Sequence, residues 1–410
     1  RDGVEHLAFL TREGPIFRAA VDALFPDARF STTTLFASRR LVRSASFTTA
    51  EDVQSVDLSR VRHHQNLADF LHIEYGLETD KIDPATYTAV GFGDENSFVG
   101  ANITHEQLRE LVSSLTDQII TESRAARTTL QTYLEDSGML EGKAAVVDIG
   151  YAGNVQSAFS EILGTHLSGY YAATFRSASK VLKDLPHKAY LGSGFSPSDQ
   201  RIGLCRHRKI YETLLCAPGQ SIVAVEKSKA GWEGIADSGS ETPIRDEFIV
   251  AAHRGALDFA RDFAKGQVAS GDISPTAATA FLDGMLDAPT KGLALLLSDL
   301  EFDDPFDKRR MVSLVDKGAN PEYSVWPKGA SQLLVSSPLR STSIENRWEW
   351  CGPYGLLGWR HLMTPIVAII VARIGDVQDA DHYRDDPIGF FRRLSDPRYR
   401  RIGIILYPRD

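Results

Sequence analysis

The chain has 410 residues, of which 43% are hydrophobic and 24% are charged. This balance is typical of globular proteins and excludes a disordered or fibrous chain. Lysine and arginine number 45 against 54 acidic residues, giving a net charge of −9, so nucleic acid is not an expected partner. The three cysteines are too few and too scattered for a disulfide framework or a zinc site, and such sparse use is typical of a reducing cytoplasm.

Alternating strand and helix patterns occupy the first third of the chain and continue beyond it. Short apolar runs predict four strands: His6–Leu10, Thr33–Ser38, Lys143–Asp148 and Ser168–Phe175. Helical patterns follow at about 15–24, 104–134 and 155–163, and Thr104 with Gln107 forms a capping box at the start of the second. The run that ends at Asp148 is apolar, as expected of a strand buried inside a parallel sheet.

Further helices are predicted downstream, where Thr242-Pro243 and Ser274-Pro275 each place a capping residue before a proline. Residues 331–410 are richer in aromatic residues and arginine and end in an apolar run, Ile402–Tyr407. We therefore predict an α/β fold with an open, mostly parallel sheet and flanking helices. The expected parts are an α/β domain at 1–240, a helical insertion or bundle at 241–330 and a small α+β part at 331–410.

No membrane-spanning segment is expected. The most apolar run, Leu362–Ala372, contains Pro365 and is shorter than the roughly 20 residues that a spanning helix needs. Arginines are interleaved with aromatic residues between Phe390 and Arg401, a pattern compatible with peripheral contact with anionic lipid headgroups. A solvated helix is the alternative interpretation of this basic tail.

Three of the predicted strands end in polar loops. Ligands of open α/β sheets bind beyond the carboxyl ends of the strands, so we expect these loops to converge on one site. The first two loops carry Arg12, Arg39 and Arg40, and arginine is the side chain suited to binding phosphate through two parallel hydrogen bonds. The alternatives are a solvated loop for Arg39 and Arg40 and a local ion pair between Arg12 and Glu13.

The third loop has the sharpest local pattern, VVDIGYAGNVQ at 146–156. The strand delivers Asp148 to its end, the glycines let backbone N–H groups approach a ligand, and the next helix directs its positive end there. Such a turn is typical of loops that hold phosphates or phosphorylated sugars. The carboxylate is then left for a ribose hydroxyl, a metal or an attacking hydroxyl. An ordinary tight turn in which Asp148 caps the helix is the alternative.

Glu212 lies in an apolar helical pattern that follows the basic cluster Arg206-His207-Arg208. A buried carboxylate needs a partner, which is either an arginine of the site or a structural ion pair. The chain lacks a serine elbow, a P-loop and a Rossmann glycine motif, which weakens hydrolase, nucleotide-kinase and dehydrogenase interpretations.

Four segments in order resemble a known bacterial family: FLTREG at 9–14, LFASRR at 35–40, VVDIGYAGNVQ at 146–156 and YETLLCAPGQS at 211–221. They are similar to the glycan phosphoribosyltransferase domain of dual-domain ribofuranosyltransferases. The similarity spans about Leu7 to Val223. In that family the domain follows a haloacid-dehalogenase-like phosphatase domain in large surface-polysaccharide proteins. It transfers 5-phosphoribose from phosphoribosyl pyrophosphate to a sugar hydroxyl, and the phosphatase domain removes the 5-phosphate.

The resemblance implies a donor site built from the four motifs. Arg12, Arg39 and Arg40 are expected to bind the pyrophosphate or the 5-phosphate of the donor. The other residues expected around the donor are Gly14, Ser38, Gly150, Tyr151, Gly153, Asn154 and Gln156.

The resemblance also implies the catalytic groups, which are Asp148, Glu212 and Glu13. Asp148 is expected to hold the ribose or Mg²⁺, or to accept the proton of the acceptor hydroxyl, and Glu212 to orient an arginine. Mg²⁺ bound mainly through phosphates and one carboxylate needs no cage of protein ligands.

The function implied is that of a cytoplasmic glycosyltransferase, peripheral at the inner membrane, in O-antigen or capsule biosynthesis. Its expected partners are the sugar-phosphate donor and a lipid-linked glycan acceptor. A haloacid-dehalogenase phosphatase needs an Asp-x-Asp pair directly after its first strand, and no predicted strand here is followed by one. The expectation is therefore that the phosphatase domain either precedes Arg1 or is absent, in which case the product keeps its 5-phosphate or a separate enzyme removes it.

Three alternatives to transfer are open. A phosphosugar hydrolase would use the same crevice, but it lacks the nucleophilic aspartate motif. A non-catalytic scaffold module of a polysaccharide assembly system would have no reason to retain charges at three strand ends. An actin-like ATPase also begins its phosphate loop with a pattern like VVDIG, but a second strand–Asp–Gly loop is missing from this sequence.

Overall fold

A computed structural model describes residues 2–58, 65–99, 104–219, 221–236, 243–265, 275–303, 311–315 and 321–334. Predictions that fall on residues 335–410, which include the terminal strand Ile402–Tyr407 and the basic tail, lie outside the described residues.

Five parallel strands form the central sheet: β1 (His6–Leu10), β2 (Ser31–Leu35), β3 (Ala144–Asp148), β4 (Ser168–Tyr171) and β5 (His187–Ala189). Their order is β2-β1-β3-β4-β5, and Phe9 of β1 pairs with Thr34 on one side and Val147 on the other. The predicted α/β class with a parallel sheet is confirmed. Because the strand order reverses between β1 and β3, the topological switch point lies between these two strands.

Helices flank the sheet and two small antiparallel hairpins adjoin it. The α-helices are α1 (Gly14–Leu24), α2 (Arg39–Ser44), α3 (Ala50–Gln54), α4 (Leu67–Tyr75), α5 (Pro84–Thr88), α6 (His105–Ser114), α7 (Thr116–Asp136), α8 (Asn154–Leu163), α9 (Ala178–Leu182), α10 (Gly203–Arg206), α11 (Arg208–Leu215), α12 (Pro243–Ala264), α13 (Pro275–Asp287), α14 (Lys291–Leu297) and α15 (Pro327–Leu334). The hairpin strands are β6 (Ile222–Ser228) with β7 (Gly231–Ala236), and β8 (Glu301–Asp303) with β9 (Met311–Ser313). Within the described ranges, no helix is both long and apolar enough to span a bilayer.

The two faces of the sheet bury different hydrophobic clusters because successive side chains of a strand point to opposite sides. On β1, Leu7 and Phe9 pack in the cluster that contains α1 and α12, whereas Ala8 and Leu10 pack in the cluster that contains α7 and α8. Helices α13 to α15 also contribute to the first cluster, so the described helices after residue 242 share one core with the sheet.

A helical module interrupts the connection from β2 to β3. It has its own hydrophobic cluster, which spans residues 47–119 and is built from α3 to α6 and the start of α7. Arg43 of α2 ties the module to the sheet, since its Nε donates to the Glu74 carbonyl (2.9 Å) and its guanidinium pairs with the Glu74 carboxylate (2.5 Å). Sequence analysis predicted an inserted helical unit only after residue 240. This earlier module was missed.

The helix predicted over 104–134 is divided into α6 and α7 at Leu115. The predicted capping box is confirmed, since Thr104 N–H donates to Gln107 Oε1 (2.9 Å) and Gln107 N–H donates to Thr104 Oγ1 (3.2 Å). Hydroxyls next to the break donate to carbonyls of the preceding turn, among them Ser114 Oγ to Leu111 (2.7 Å). Such back-bonding competes with the helical hydrogen bonds and bends or interrupts helices.

Gln156 packs α8 against β4. Its side chain is fully buried, and its Nε2 donates to the carbonyls of Leu167 (2.8 Å) and Pro186 (3.0 Å). Its Oε1 accepts a hydrogen bond from Tyr171 Oη (2.7 Å). A Cβ atom on Gly169 would lie 2.2 Å from this oxygen, so the strand needs glycine there. Gln156 was predicted to bind the donor, but the structure commits its amide to these internal contacts.

We expect Gln156→Ala to lower the free energy of unfolding by about 2–5 kcal/mol, because it leaves two carbonyls and a hydroxyl unsatisfied beside a cavity. Urea unfolding checks this. Asn154→Ala, at an exposed position in the first turn of the same helix, is the matched control and should cost about 0.5 kcal/mol or less. Equal losses in the two variants would contradict the packing role.

Candidate functional site

The loops after β1 and β2 are joined by Thr11. Its N–H donates to the Leu35 carbonyl (2.9 Å), and its hydroxyl donates to the Ala37 carbonyl (3.0 Å) and accepts from the Ala37 N–H (2.8 Å). The two loops that carry the predicted arginines are therefore held side by side at the carboxyl edge of the sheet. This convergence is what the parallel arrangement of the strands predicts.

Arg39 and Arg40 occupy the first turn of α2, directly after the loop. Ser38 caps this helix, because its hydroxyl accepts the Leu41 N–H at 3.0 Å. The strand predicted to end at Ser38 therefore ends earlier, at Leu35. Arg39 is exposed, and its charge acts to lower the pKa of Asp148 at the end of β3. The β2 loop thus faces the β3 loop across β1.

Glu13 is buried next to Arg12, with only 8% of its surface exposed. Burial raises the pKa of the Glu13 carboxyl; the charge of Arg12 opposes this rise, and the charge of Glu212 adds to it. Gly14 then begins α1 so close to β1 that a Cβ atom would lie 2.5 Å from the carbonyl carbon of Phe9. Gly14 therefore serves the packing that places Glu13.

Asp148 lies at the switch point, at the end of the strand next to β1, whose following loop carries Glu13. Burial and then the charge of Glu13 raise the pKa of Asp148 to about 8, against the opposing effects of two backbone N–H groups and of Arg39. The two carboxyls form a coupled pair that holds a proton at neutral pH. Within the described ranges, no group of three or more His, Cys, Asp or Glu side chains is placed to hold a metal ion.

The loop after β3 needs glycine at both predicted positions. Gly150 has φ +135°, and a Cβ atom there would lie 2.2 Å from the Ala173 carbonyl oxygen. Gly153 has φ +79° and precedes Asn154, which is exposed at the start of α8. The loops after β3 and β4 run together, since the Phe175 N–H donates to the Tyr151 carbonyl (2.8 Å). The strand predicted over Ser168–Phe175 ends earlier, at Tyr171, although this backbone bonding continues past its end.

Tyr151 and Phe175 form the wall of the crevice on the β4 side. Their rings stack with centroids 4.4 Å apart and an interplanar angle of 13°. The Arg208 guanidinium lies nearly equidistant from both centroids, at 6.0 and 5.9 Å. Burial raises the pKa of Tyr151, and so do the charges of Glu212 and then Glu13. Tyr151 Oη is buried, and none of the described residues forms a hydrogen bond with it.

Glu212 is held by its own helix, α11. Lys209 Nζ lies 3.0 Å from its carboxylate and Arg208 Nε lies 3.7 Å from it. Helix α11 is in turn fixed to α13, where Tyr211 Oη donates to Asp283 (2.7 Å). A local ion pair thus partners Glu212, while its charge still acts on Glu13 and Tyr151.

The structure places six of the predicted residues close enough to interact electrostatically, and we call the region that they line, beyond the carboxyl ends of β1 and β3, the switch-point crevice. Its charged and polar groups are Arg12, Glu13, Arg39, Asp148, Tyr151 and Glu212. Sequence analysis missed Phe175 and Arg208 as parts of this site. The basic cluster at residues 206–208 could have pointed to Arg208. The only sequence signal for Phe175 was its place at the end of a predicted strand.

Comparison of the chain with models of protein families gave no match, and comparison with curated protein sequences gave no match either. Any chemistry assigned to the crevice therefore depends on the residues that line it.

The raised pKa of Asp148 predicts a pH dependence of stability. The folded protein keeps a proton that the unfolded chain releases between its ordinary pKa of 3.8 and about 8. This contribution is complete below about pH 4 and is lost as the pH rises towards 8, by up to about 1.4 kcal/mol per pH unit. His253 acts in the opposite direction at acid pH, because burial lowers its pKa to about 4.

Urea unfolding of wild type and Asp148→Asn between about pH 6.5 and pH 8 isolates this effect, because the buried histidines contribute equally to the pH dependence of both proteins. The wild-type free energy of unfolding should fall more steeply with pH than that of the variant. Asp117→Asn, at an exposed position of α7, should keep the wild-type slope. Parallel slopes for wild type and Asp148→Asn would show that Asp148 titrates normally.

Proposed function

We propose that this chain is a glycosyltransferase of the phosphoribosyltransferase kind. It transfers 5-phosphoribose from phosphoribosyl pyrophosphate to a hydroxyl of a glycan in bacterial surface-polysaccharide biosynthesis. The observation that carries the proposal is that Arg12 and Arg39 lie close to two carboxyls, the buried Glu13 and the partly exposed Asp148, at the switch point of a parallel sheet. The order of the four sequence motifs supports the same reaction.

The arginines suit a donor that carries two separate phosphate groups. Arg12 lies in the loop after β1, and Arg39 and Arg40 lie in the first turn after the β2 loop. Guanidinium groups bind phosphate oxygens through charge-assisted, bidentate hydrogen bonds. As pyrophosphate leaves the anomeric carbon, these cations would stabilise the negative charge that develops on it.

The two carboxyls suit two separate roles, one in binding Mg²⁺ and one in accepting a proton. Mg²⁺ prefers oxygen ligands and is commonly held by one or two carboxylates together with substrate phosphates. Asp148 would hold it with the phosphates of the donor, where the ion would neutralise charge on the departing pyrophosphate. Glu13, buried beside Asp148, would accept the proton of the acceptor hydroxyl as the glycosidic bond forms, since burial makes a carboxylate a stronger base.

The acceptor is proposed to be a lipid-linked glycan at the inner membrane, with a haloacid-dehalogenase-like phosphatase acting on the product. The 5-phosphate of the transferred group makes such a later step chemically necessary for a neutral ribofuranose.

Donor binding is tested by thermal unfolding with phosphoribosyl pyrophosphate and Mg²⁺. At 100 times its dissociation constant, the donor should add about 2.7 kcal/mol to the free energy of unfolding. Arg39→Ala should lose most of this gain, because the phosphate loses a cationic partner. Arg29→Ala, an exposed arginine in the turn before β2, is the control and should keep it. Equal stabilisation by ribose 5-phosphate, ATP and a sugar nucleotide would contradict a specific donor site.

The roles of the two carboxyls are separated by enzyme kinetics with a glycan acceptor. Asp148→Asn should raise the Mg²⁺ concentration needed for half-maximal rate, because it removes a charged ligand. Glu13→Gln should lower kcat by about 10²–10⁴-fold and leave the Mg²⁺ requirement unchanged, because it removes the base. Near-normal turnover in both variants would remove the pair from the mechanism.

A further inference from the structure

The loop between α11 and β6 holds Arg12 at two points. The Ala217 N–H donates to the Arg12 carbonyl at 2.8 Å, and Arg12 Nη1 donates to Ser221 Oγ at 3.2 Å. Ser221 is buried, with 6% of its surface exposed. The loop therefore contacts both the backbone and the guanidinium of the same arginine. This loop is the end of the YETLLCAPGQS motif, and it has no direct role in the proposed reaction.

The middle of this loop is held by an ion pair in the first turn of α12. Arg245 Nη2 donates to the Gly219 carbonyl at 2.6 Å, and Asp246 Oδ2 accepts the Gly219 N–H at 3.0 Å. The two side chains also bond to each other, with Arg245 Nη2 2.9 Å from Asp246 Oδ1. Both backbone polar groups of Gly219 are thus bound by one Arg–Asp pair, which we call the Gly219 clip.

Burial makes the Gly219 clip costly as a purely structural device. Only 7% of the Arg245 side chain is exposed, and a buried guanidinium is destabilising unless it is paired and hydrogen-bonded. Apolar residues would pack α12 against α1 without this cost. The charged pair instead fixes the orientation of the backbone at Gly219, because Arg245 donates to the carbonyl of this residue and Asp246 accepts its N–H.

We propose that Arg245 and Asp246 are positioning residues for Arg12. They fix Gly219, and Ala217 and Ser221 on either side of it then fix the backbone and guanidinium of Arg12 in the orientation that meets a donor phosphate. The benefit is preorganisation, since an arginine already held in place loses less conformational entropy when it binds. This inference rests on the proposed function, because it assumes that Arg12 binds the donor.

The test is a double-mutant cycle that measures the dissociation constant of phosphoribosyl pyrophosphate by calorimetry with Mg²⁺ present. Asp246→Ala should weaken donor binding by about tenfold in the wild-type background. In an Arg12→Ala background the same change should have almost no effect on donor affinity, while its effect on urea unfolding persists. A merely structural role would weaken binding equally in both backgrounds, and that result would overturn the proposal.

Two further variants keep the test decisive. Ser221→Ala removes one hydroxyl without disturbing the Gly219 clip, so it reports on Arg12 even if Asp246→Ala folds poorly. It should also weaken donor binding, and Ser221→Thr should restore it. Asp258→Ala breaks an exposed ion pair with Arg261 on the same helix and should leave affinity unchanged. Normal donor affinity in the Arg12→Ala single variant would instead contradict the donor site of the proposed function.

Discussion

The constraint on which the site depends is the close approach of two carboxyls, the buried Glu13 and the partly exposed Asp148, at the carboxyl ends of adjacent parallel strands. Strand pairing and the close packing of Gly14 against β1 bring them together, because β1 and β3 are neighbours, Asp148 ends β3 and Glu13 lies in the loop after β1. Charge repulsion and loss of water then raise the pKa of Asp148 to about 8. Two apolar side chains in these positions would avoid the desolvation and the repulsion, so the carboxyl pair lowers the stability of the fold.

Arginine charges on the surrounding segments offset part of that cost. Arg12 lies beside Glu13, and Arg39 acts on Asp148 from the β2 loop. Neither arginine belongs to the sheet, so each depends on a second contact for its place. Thr11 joins the two loops through the backbone of Ala37, and Ala217 and Ser221 hold Arg12. The electrostatics of the crevice are therefore set by hydrogen bonds made outside it.

Sequence analysis predicted the features that depend on local pattern. The four strands and the convergence of their loops follow from apolar runs and from the geometry of parallel sheets, and the Thr104 capping box follows from residue spacing. Features that depend on distant partners were missed or misplaced. Gln156 belongs to a recognisable motif, but Leu167, Pro186 and Tyr171 decide its role, and their proximity is set by packing. Helices α3 to α5 of the earlier module were missed because helices of five to nine residues show little periodicity.

Tyr151 extends the same reasoning to the β4 side of the crevice. Its ring is fixed by stacking on Phe175, so its hydroxyl cannot turn away to find a partner. The carboxylate of Glu212 is held by Lys209 and Arg208, and within the described structure the hydroxyl is left with no hydrogen bond. A buried hydroxyl of this kind favours a ligand that brings its own oxygen. The crevice then offers cations for phosphate, carboxylates for hydroxyls and one neutral donor, a set that suits a phosphorylated sugar better than a simple anion.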